Sequence, residues 1–266
     1  APAAPAWVST VDFYKQRFGA RGAMGLLFDD ELISLTRGLS AADSAPALLG
    51  IEPELTAELE ATAPLARADW QEQDRQNRAW IAALQPALAR HGAALVADLT
   101  AIFQSPWPRT PIRVDVSGFA GPLGAFTLLD PVHIIISSAH PAYAGDAALE
   151  MIFHEASHAL SDRIEEKLDA EAARQGRKAP QDLWHALIFY ATGEIVKRRL
   201  GPSYVPYATK NGLWDRGWRG FEAALQRDFE PYLDGAVDLD RALAALVADV
   251  TSAPEPAPTP SAPPPN

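Results

Sequence analysis

His154-Glu155-Ala156-Ser157-His158 is the stretch of this chain whose residue types and spacing could do chemistry. It matches the pattern H-E-x-x-H, in which two imidazoles one helical turn apart hold a zinc ion and the glutamate beside the first serves as general base. An α-helix advances about 100° per residue, so positions four apart return to within about 40° of each other and two ring nitrogens can reach one ion. Glu155 is rotated about 100° from His154, too far round to compete easily as a ligand but able to reach a water on the metal. With six histidines in 266 residues, the pattern arises by chance in roughly one chain per hundred. The surrounding residues argue against chance. Read as a helix from about Ala147 to Ile164, the segment has Leu149, Ile152, Phe153, Ala156, Leu160 and Ile164 on its apolar side. His154 and His158 fall on the other side with Ala147, Glu150, Met151 and Ser161, where they can line a cleft.

A catalytic zinc needs three protein ligands and an open position. The chain has no cysteine, so the third ligand must be nitrogen or oxygen. A helix is expected over Gln181 to Leu200, preceded by Pro180 and ended by Gly201-Pro202. It offers His185 and Glu194, nine residues apart and on opposite faces, so one ion cannot easily use both. His185 is favoured by position: in an antiparallel helix pair the start of the second lies near the end of the first, and a titratable ring before an apolar run needs a reason to be there. Glu194 is the alternative, with Gly193 permitting close approach of another backbone. Without a metal, Glu194 would form an i,i+4 ion pair with Arg198 and His185 would be a hydrogen-bonded core residue. Asp162 could orient the His158 ring or be a plain exposed carboxylate. His133 and His140 flank a strand, and His91 sits at a helix end beside Gly92.

The elements that must position these residues change texture along the chain. Residues 7 to about 105 read as helices, around Val8 to Phe18, Pro53 to Thr62, Leu65 to Arg90 and Ala93 to Phe103. Pro86 is expected to kink or end its helix, and Trp70, Asn77, Trp80, Ile81, Leu84 and Leu88 form an apolar stripe with one polar interruption. From Pro106 strand patterns take over: Ile112 to Val116 alternates, Ala125 to Leu129 follows a glycine-rich stretch, and Val132 to Ser137 is rich in β-branched residues. An edge strand just before the motif helix could bind an extended substrate by main-chain hydrogen bonds. Arg216 to Tyr232 and Leu239 to Val250 read as closing helices.

The three strands, the H-E-x-x-H helix and the later helix together resemble the zincin metallopeptidases over roughly residues 110 to 200. That resemblance implies one zinc, a bound water and hydrolysis of a peptide bond. A metzincin-like extension would place a glycine and a histidine where Ser161 and Ile164 stand, so the resemblance is gluzincin-like, a pattern that would take Glu194 as third ligand. Zinc peptidases also need a donor for the oxyanion formed as water attacks the carbonyl. Tyr207, in the aromatic loop Tyr204 to Trp214, is the choice and Tyr204 the reserve.

A net charge of −11 argues against nucleic acid or an anionic membrane surface as the main partner. No run reaches the ~18 apolar residues of a membrane span. The opening Ala1-Pro2-Ala3-Ala4-Pro5-Ala6 has the small-residue character found after a cleaved signal peptide, which suggests an exported, periplasmic or extracellular protein, with a cytoplasmic terminal linker the alternative. The proline-rich tail from 253 to 266 is expected to be extended or disordered.

The expected fold is α+β and mostly α-helical: one zincin-like domain over 7–252, with a helical scaffold part (7–105), a sheet and metal-site part (106–252), the small sheet packed on the H-E-x-x-H helix, and flexible ends at 1–6 and 253–266. The expected function is a zinc hydrolase cleaving peptide or protein substrates. The rivals are a non-catalytic zinc-binding or partner-binding domain and a zinc hydrolase of non-peptide substrates.

Overall fold

The computed structural model describes residues 5–21, 28–41 and 51–250. The expectations for residues 1–4 and 253–266 lie outside this range, whereas Pro5 and Ala6 belong to the first helix. The described residues are mostly helical with one three-stranded sheet, in keeping with the α+β class. It forms two compact units, one of Ala1–Gln85 with Thr110–Ala144 and one of Pro86–Arg109 with Gly145–Asn266.

The first unit holds α1 (Pro5–Phe18), α2 (Asp30–Ala41), the N-terminal part of α3 (Pro53–Phe103) and the sheet. The three helices expected between Pro53 and Phe103 are one continuous helix, and neither Pro64 nor Pro86 ends it. A proline removes a single hydrogen bond and crowds one carbonyl, while the many Ala, Leu, Glu, Gln and Arg residues around both sites favour helix at every flanking position. Pro86 instead opens the second unit. The expected stripe is only partly buried: Leu84 and Asn77 are inside, whereas Trp70 and Ile81 are exposed. The polar interruption is matched, because Asn77 Oδ1 accepts a 2.6 Å hydrogen bond from Ser138 Oγ. Trp80 donates its indole N–H to the Tyr143 carbonyl at 2.5 Å.

Strands β1 (Arg113–Ser117), β2 (Ala125–Leu128) and β3 (His133–Ser137) lie in the order β1-β3-β2, with β3 parallel to β1 and antiparallel to β2. This corrects one expectation: β3, the strand just before the motif helix, is central and not an edge. Its backbone is paired on both sides, so no substrate strand can add to it. The run Ile134-Ile135-Ile136 is the continuous apolar stretch a central strand carries, and Ile134 and Ile136 are fully buried.

The second unit begins with the remainder of α3, followed after residue 145 by α4 (Asp146–Ser157), α5 (Asp162–Arg174), α6 (Leu183–Leu200) and, after several short helical turns, α7 (Leu239–Val250). The helix expected to run unbroken to Ile164 stops at Ser157, passes through a 3₁₀ turn at His158–Leu160 and restarts at Asp162. Two serines explain the break: Ser157 Oγ donates to the Phe153 carbonyl at 2.7 Å and Ser161 Oγ to the His158 carbonyl at 3.0 Å. Such back-bonding competes with the regular ladder and tightens or bends it. The closing helix expected from Arg216 is likewise interrupted. Helical turns at Leu213–Arg216 and Phe221–Ala224 flank Gly217 and Gly220, and a π-helical turn at Leu225–Phe229 leads into Glu230–Leu233. Pro231 lacks the N–H that would continue a regular ladder there.

Candidate metal centre

Helices α4 and α6 lie against each other and supply the residues singled out by the motif. Gly145, with φ +59°, turns the chain into α4, and Asp146 places a negative charge in its first turn. Every residue of α4 from Ala147 to Ser157 is buried. The polar face expected to be left over for a cleft is therefore covered as thoroughly as the apolar one.

His154, His158 and His185 converge: each offers a ring nitrogen, and the three nitrogens lie within 4.8 Å of one another. Among the described residues this is the one group of histidine and acidic side chains placed to hold a metal ion. The ring centroids form a near-equilateral triangle with sides of 5.1, 5.1 and 5.3 Å. Nε2 of His154 and Nε2 of His185 are 3.4 Å apart. A tetrahedral zinc with bonds of about 2.0–2.1 Å sets its ligand atoms about 3.3–3.4 Å from each other, so this edge has the length that two ligands of one zinc would show.

The cluster also has the right protonation. Burial holds the pKa of His154 well below its usual range, aided by the neighbouring charges of His158 and His185. Burial lowers His158 to about 4, and burial together with the His158 charge lowers His185 to about 3. All three rings are neutral at neutral pH, which is the form that binds metal.

Ring stacking holds these imidazoles. Phe189, one turn after His185 on α6, lies face to face with His154 at 3.6 Å between centroids. Trp184 stacks on His185 at 5.1 Å and meets His158 edge-on, and Trp218 meets His185 edge-on at 5.4 Å. By contrast, Nδ1 of His154 is buried with no hydrogen-bond partner. Metal-binding histidines are commonly oriented by an acceptor on the second nitrogen; His154 has none at Nδ1, and the face of the Phe189 ring packs against it instead. Asp162 does not supply one to the cluster, being exposed on α5.

The other expected residues are dispersed. Glu155 is buried beside His154. Glu194 is absent from the cluster: its carboxylate takes the Lys197 ammonium at 3.0 and 3.1 Å. The expected partner Arg198 turns instead to Glu230, Asp234 and the Leu233 carbonyl. Gly193 does serve a close approach, since a Cβ there would stand 2.8 Å from Pro206 Cβ and 3.1 Å from Glu150 Oε1. Tyr207 is buried, and its ring lies parallel to Phe189 at 6.1 Å, on a ring that itself stacks on His154. The Tyr204 hydroxyl is committed elsewhere, donating to Glu150 Oε2 at 2.5 Å.

His133 and His140 belong to the first unit. His133 faces Asp115 across the sheet at 3.1 Å. His140 accepts the Ala142 N–H at 3.3 Å and stacks on Tyr143, in a turn closed by the Tyr143 N–H on its carbonyl.

Glu150 was not singled out as a site residue by sequence reasoning, although it stands one turn before His154. It is fully buried, accepts hydrogen bonds from Tyr204 Oη and the Tyr207 N–H, and leaves Oε1 without a partner. Burial raises its carboxyl to about 7 despite those two donors. The i,i+4 spacing to His154 could have flagged it. Trp218 carried no comparable signal, because its place depends on the break in the helix expected around it.

No family model, curated protein or solved structure matches this chain.

Proposed function

We propose that this chain is a zinc-dependent hydrolase, a zincin-like metallopeptidase in which His154, His158 and His185 hold the metal and Glu155 is the general base. The observation that carries this reading is the convergence of three neutral imidazoles, one buried and two partly exposed, within 4.8 Å, the buried one adjacent in sequence to a buried carboxylate. Three nitrogen ligands leave a tetrahedral ion one position open, the arrangement of catalytic sites, whereas structural zinc is closed by four protein ligands. His158 and His185 keep partial exposure while His154 does not, which gives that open position a route to solvent.

Zinc bound there would polarise a carbonyl and make water a stronger acid. Glu155 takes the proton of the attacking water and returns it to the leaving amine, so the water oxygen forms the new bond to carbon as the C–N bond breaks. Tyr207, stacked on the ring that backs His154, is the proposed donor to the oxyanion. Tyr204 is not suited to that part, because Glu150 already holds its hydroxyl proton.

The substitution Glu155→Gln tests the reading. Loss of a general base lowers turnover by about 10²–10⁴-fold while the zinc content, measured by atomic absorption on the purified variant, stays at that of the parent. A peptide mixture cleaved equally by both proteins would refute the assignment of Glu155. A parent that binds zinc yet cleaves neither peptides nor small esters and amides would favour a non-catalytic zinc domain.

A further inference from the structure

Beside Phe189, the ring that stacks on His154, the second unit contains a cleft of about 260 Å³, and the geometry points to it as a subsite for a cationic side chain of the substrate, with Glu222 reading the charge. This inference rests on the zinc hydrolase reading and names the substrate class for the same site.

Position comes first. Phe189 lines the cleft and stacks on His154 at 3.6 Å, so a single ring separates the cleft from the proposed metal ligands. The inferred subsite takes a side chain neighbouring a reacting carbonyl held at the histidines, with Phe189 as the wall common to both. The volume is that of a side-chain pocket, below the roughly 300 Å³ at which pockets for larger ligands begin.

Charge comes next. The lining carries three charged groups, Glu194, Lys197 and Glu222. Lys197 and Glu194 neutralise each other. Glu222 is half-buried, and none of the described lysines or arginines pairs with it. Its orientation is fixed all the same: the Trp214 indole N–H donates to Thr209 Oγ1 at 3.0 Å, and that hydroxyl donates to Glu222 Oε1 at 3.0 Å. The cleft is therefore left with one negative charge, aimed by a two-step relay.

Its walls suit the same occupant. The rings of Phe189, Tyr190, Tyr204 and Trp214 line it, and aromatic faces attract ammonium and guanidinium groups while covering the methylene stem that carries them. Arginine fits best, because a planar guanidinium can stack on a ring and still present two N–H groups to a carboxylate. An acidic side chain would meet Glu222 and be rejected.

The test uses the zinc-loaded full chain and three probes: N-acetyl-argininamide, N-acetyl-norleucinamide and N-acetyl-glutamic acid amide. Binding is followed at the Trp214 indole N–H resonance. The arginine probe should shift that signal saturably, the norleucine probe should bind about tenfold more weakly, as loss of a charge-assisted hydrogen bond implies, and the glutamate probe should not bind. Glu222→Gln should weaken the arginine probe by a similar factor at unchanged zinc content. Thr209→Val, which removes the relay without touching the charge, should weaken it less, and this second variant carries the test should the first fail to fold. Equal binding of the arginine and norleucine probes, or no response at Trp214, overturns the inference. Peptide hydrolysis is scored separately: turnover without preference for arginine leaves the hydrolase standing and removes this subsite. Arginine binding without any turnover removes the role as a substrate subsite.

Discussion

The histidines of the two units have opposite surroundings. In the first unit His133 faces a carboxylate across the sheet, and His140 accepts a backbone N–H in a tight turn. In the second, His154 buries one ring nitrogen with no partner and turns the other on a second imidazole at 3.4 Å. Burying a polar group costs free energy unless a hydrogen bond replaces the lost water. The first pair meets that condition within the protein. In the cluster Nδ1 of His154 goes unmet, while the Nε2 atoms of His154 and His185, turned on each other, are the ones a cation between the rings would use. Burial alone therefore says little about a histidine, while its unmet bonding capacity says much.

The sharpest way to break this contrast is to delete rings from each side of it. His154→Ala and His185→Ala should each lose zinc at neutral pH, since two remaining ligands do not close a site, while His133→Ala should keep full metal content. Metal analysis after dialysis decides the matter, and zinc retained in His185→Ala would remove that residue from the ligand set. The next largest effect is expected at Phe189→Ala. Truncating a buried aromatic ring costs about 3–5 kcal/mol of stability, read from the urea midpoint, and here it also frees the His154 ring, so zinc affinity should drop with it. Unchanged zinc affinity would mean that stacking does not orient His154.

A third prediction concerns Glu150, whose carboxyl burial raises to about 7 from its ordinary 4.5. An acid with a raised folded pKa binds more protons when folded, so its contribution is complete below about pH 4.5 and is lost as pH rises towards 7. Glu150→Gln keeps an acceptor for Tyr204 and the Tyr207 N–H but cannot ionise. The variant should match the parent near pH 4.5 and exceed it at pH 8 by on the order of 3 kcal/mol. The histidines act in the opposite sense: their lowered pKa values stabilise the metal-free chain above about pH 6.5, and this is lost as pH falls towards 4. Unfolding curves of parent and variant at both pH values separate the two. A constant difference across pH would show that Glu150 does not titrate in this range.

Local signals were legible in the sequence and relational ones were not. The i,i+4 histidine spacing, the strands near 113, 125 and 133, and the helix Leu239–Val250 follow from periodicity, which neighbours in the chain determine. The unbroken run of α3 through Pro64 and Pro86 did not follow, because helix propensity summed over many residues outweighs a proline penalty that a single residue announces loudly. The central place of β3 depends on which strand pairs with which. Phe189 gave only half its meaning: its spacing from His185 put both on one face of α6, but nothing along the chain showed that this face would meet His154.

The smallest expected effect tests the same contrast within one helix. His185 and Glu194 both belong to α6, nine positions apart, and the structure separates them: the first joins the cluster, while the second pairs with Lys197 one turn on. That pair is partly exposed, so it should contribute only about 0.2–0.5 kcal/mol. Glu194→Ala should leave zinc bound and shift the unfolding midpoint by no more than this. Should it release zinc while His185→Ala retains it, the carboxylate must swing from Lys197 to the metal, and the gluzincin-like ligand set would replace the three histidines.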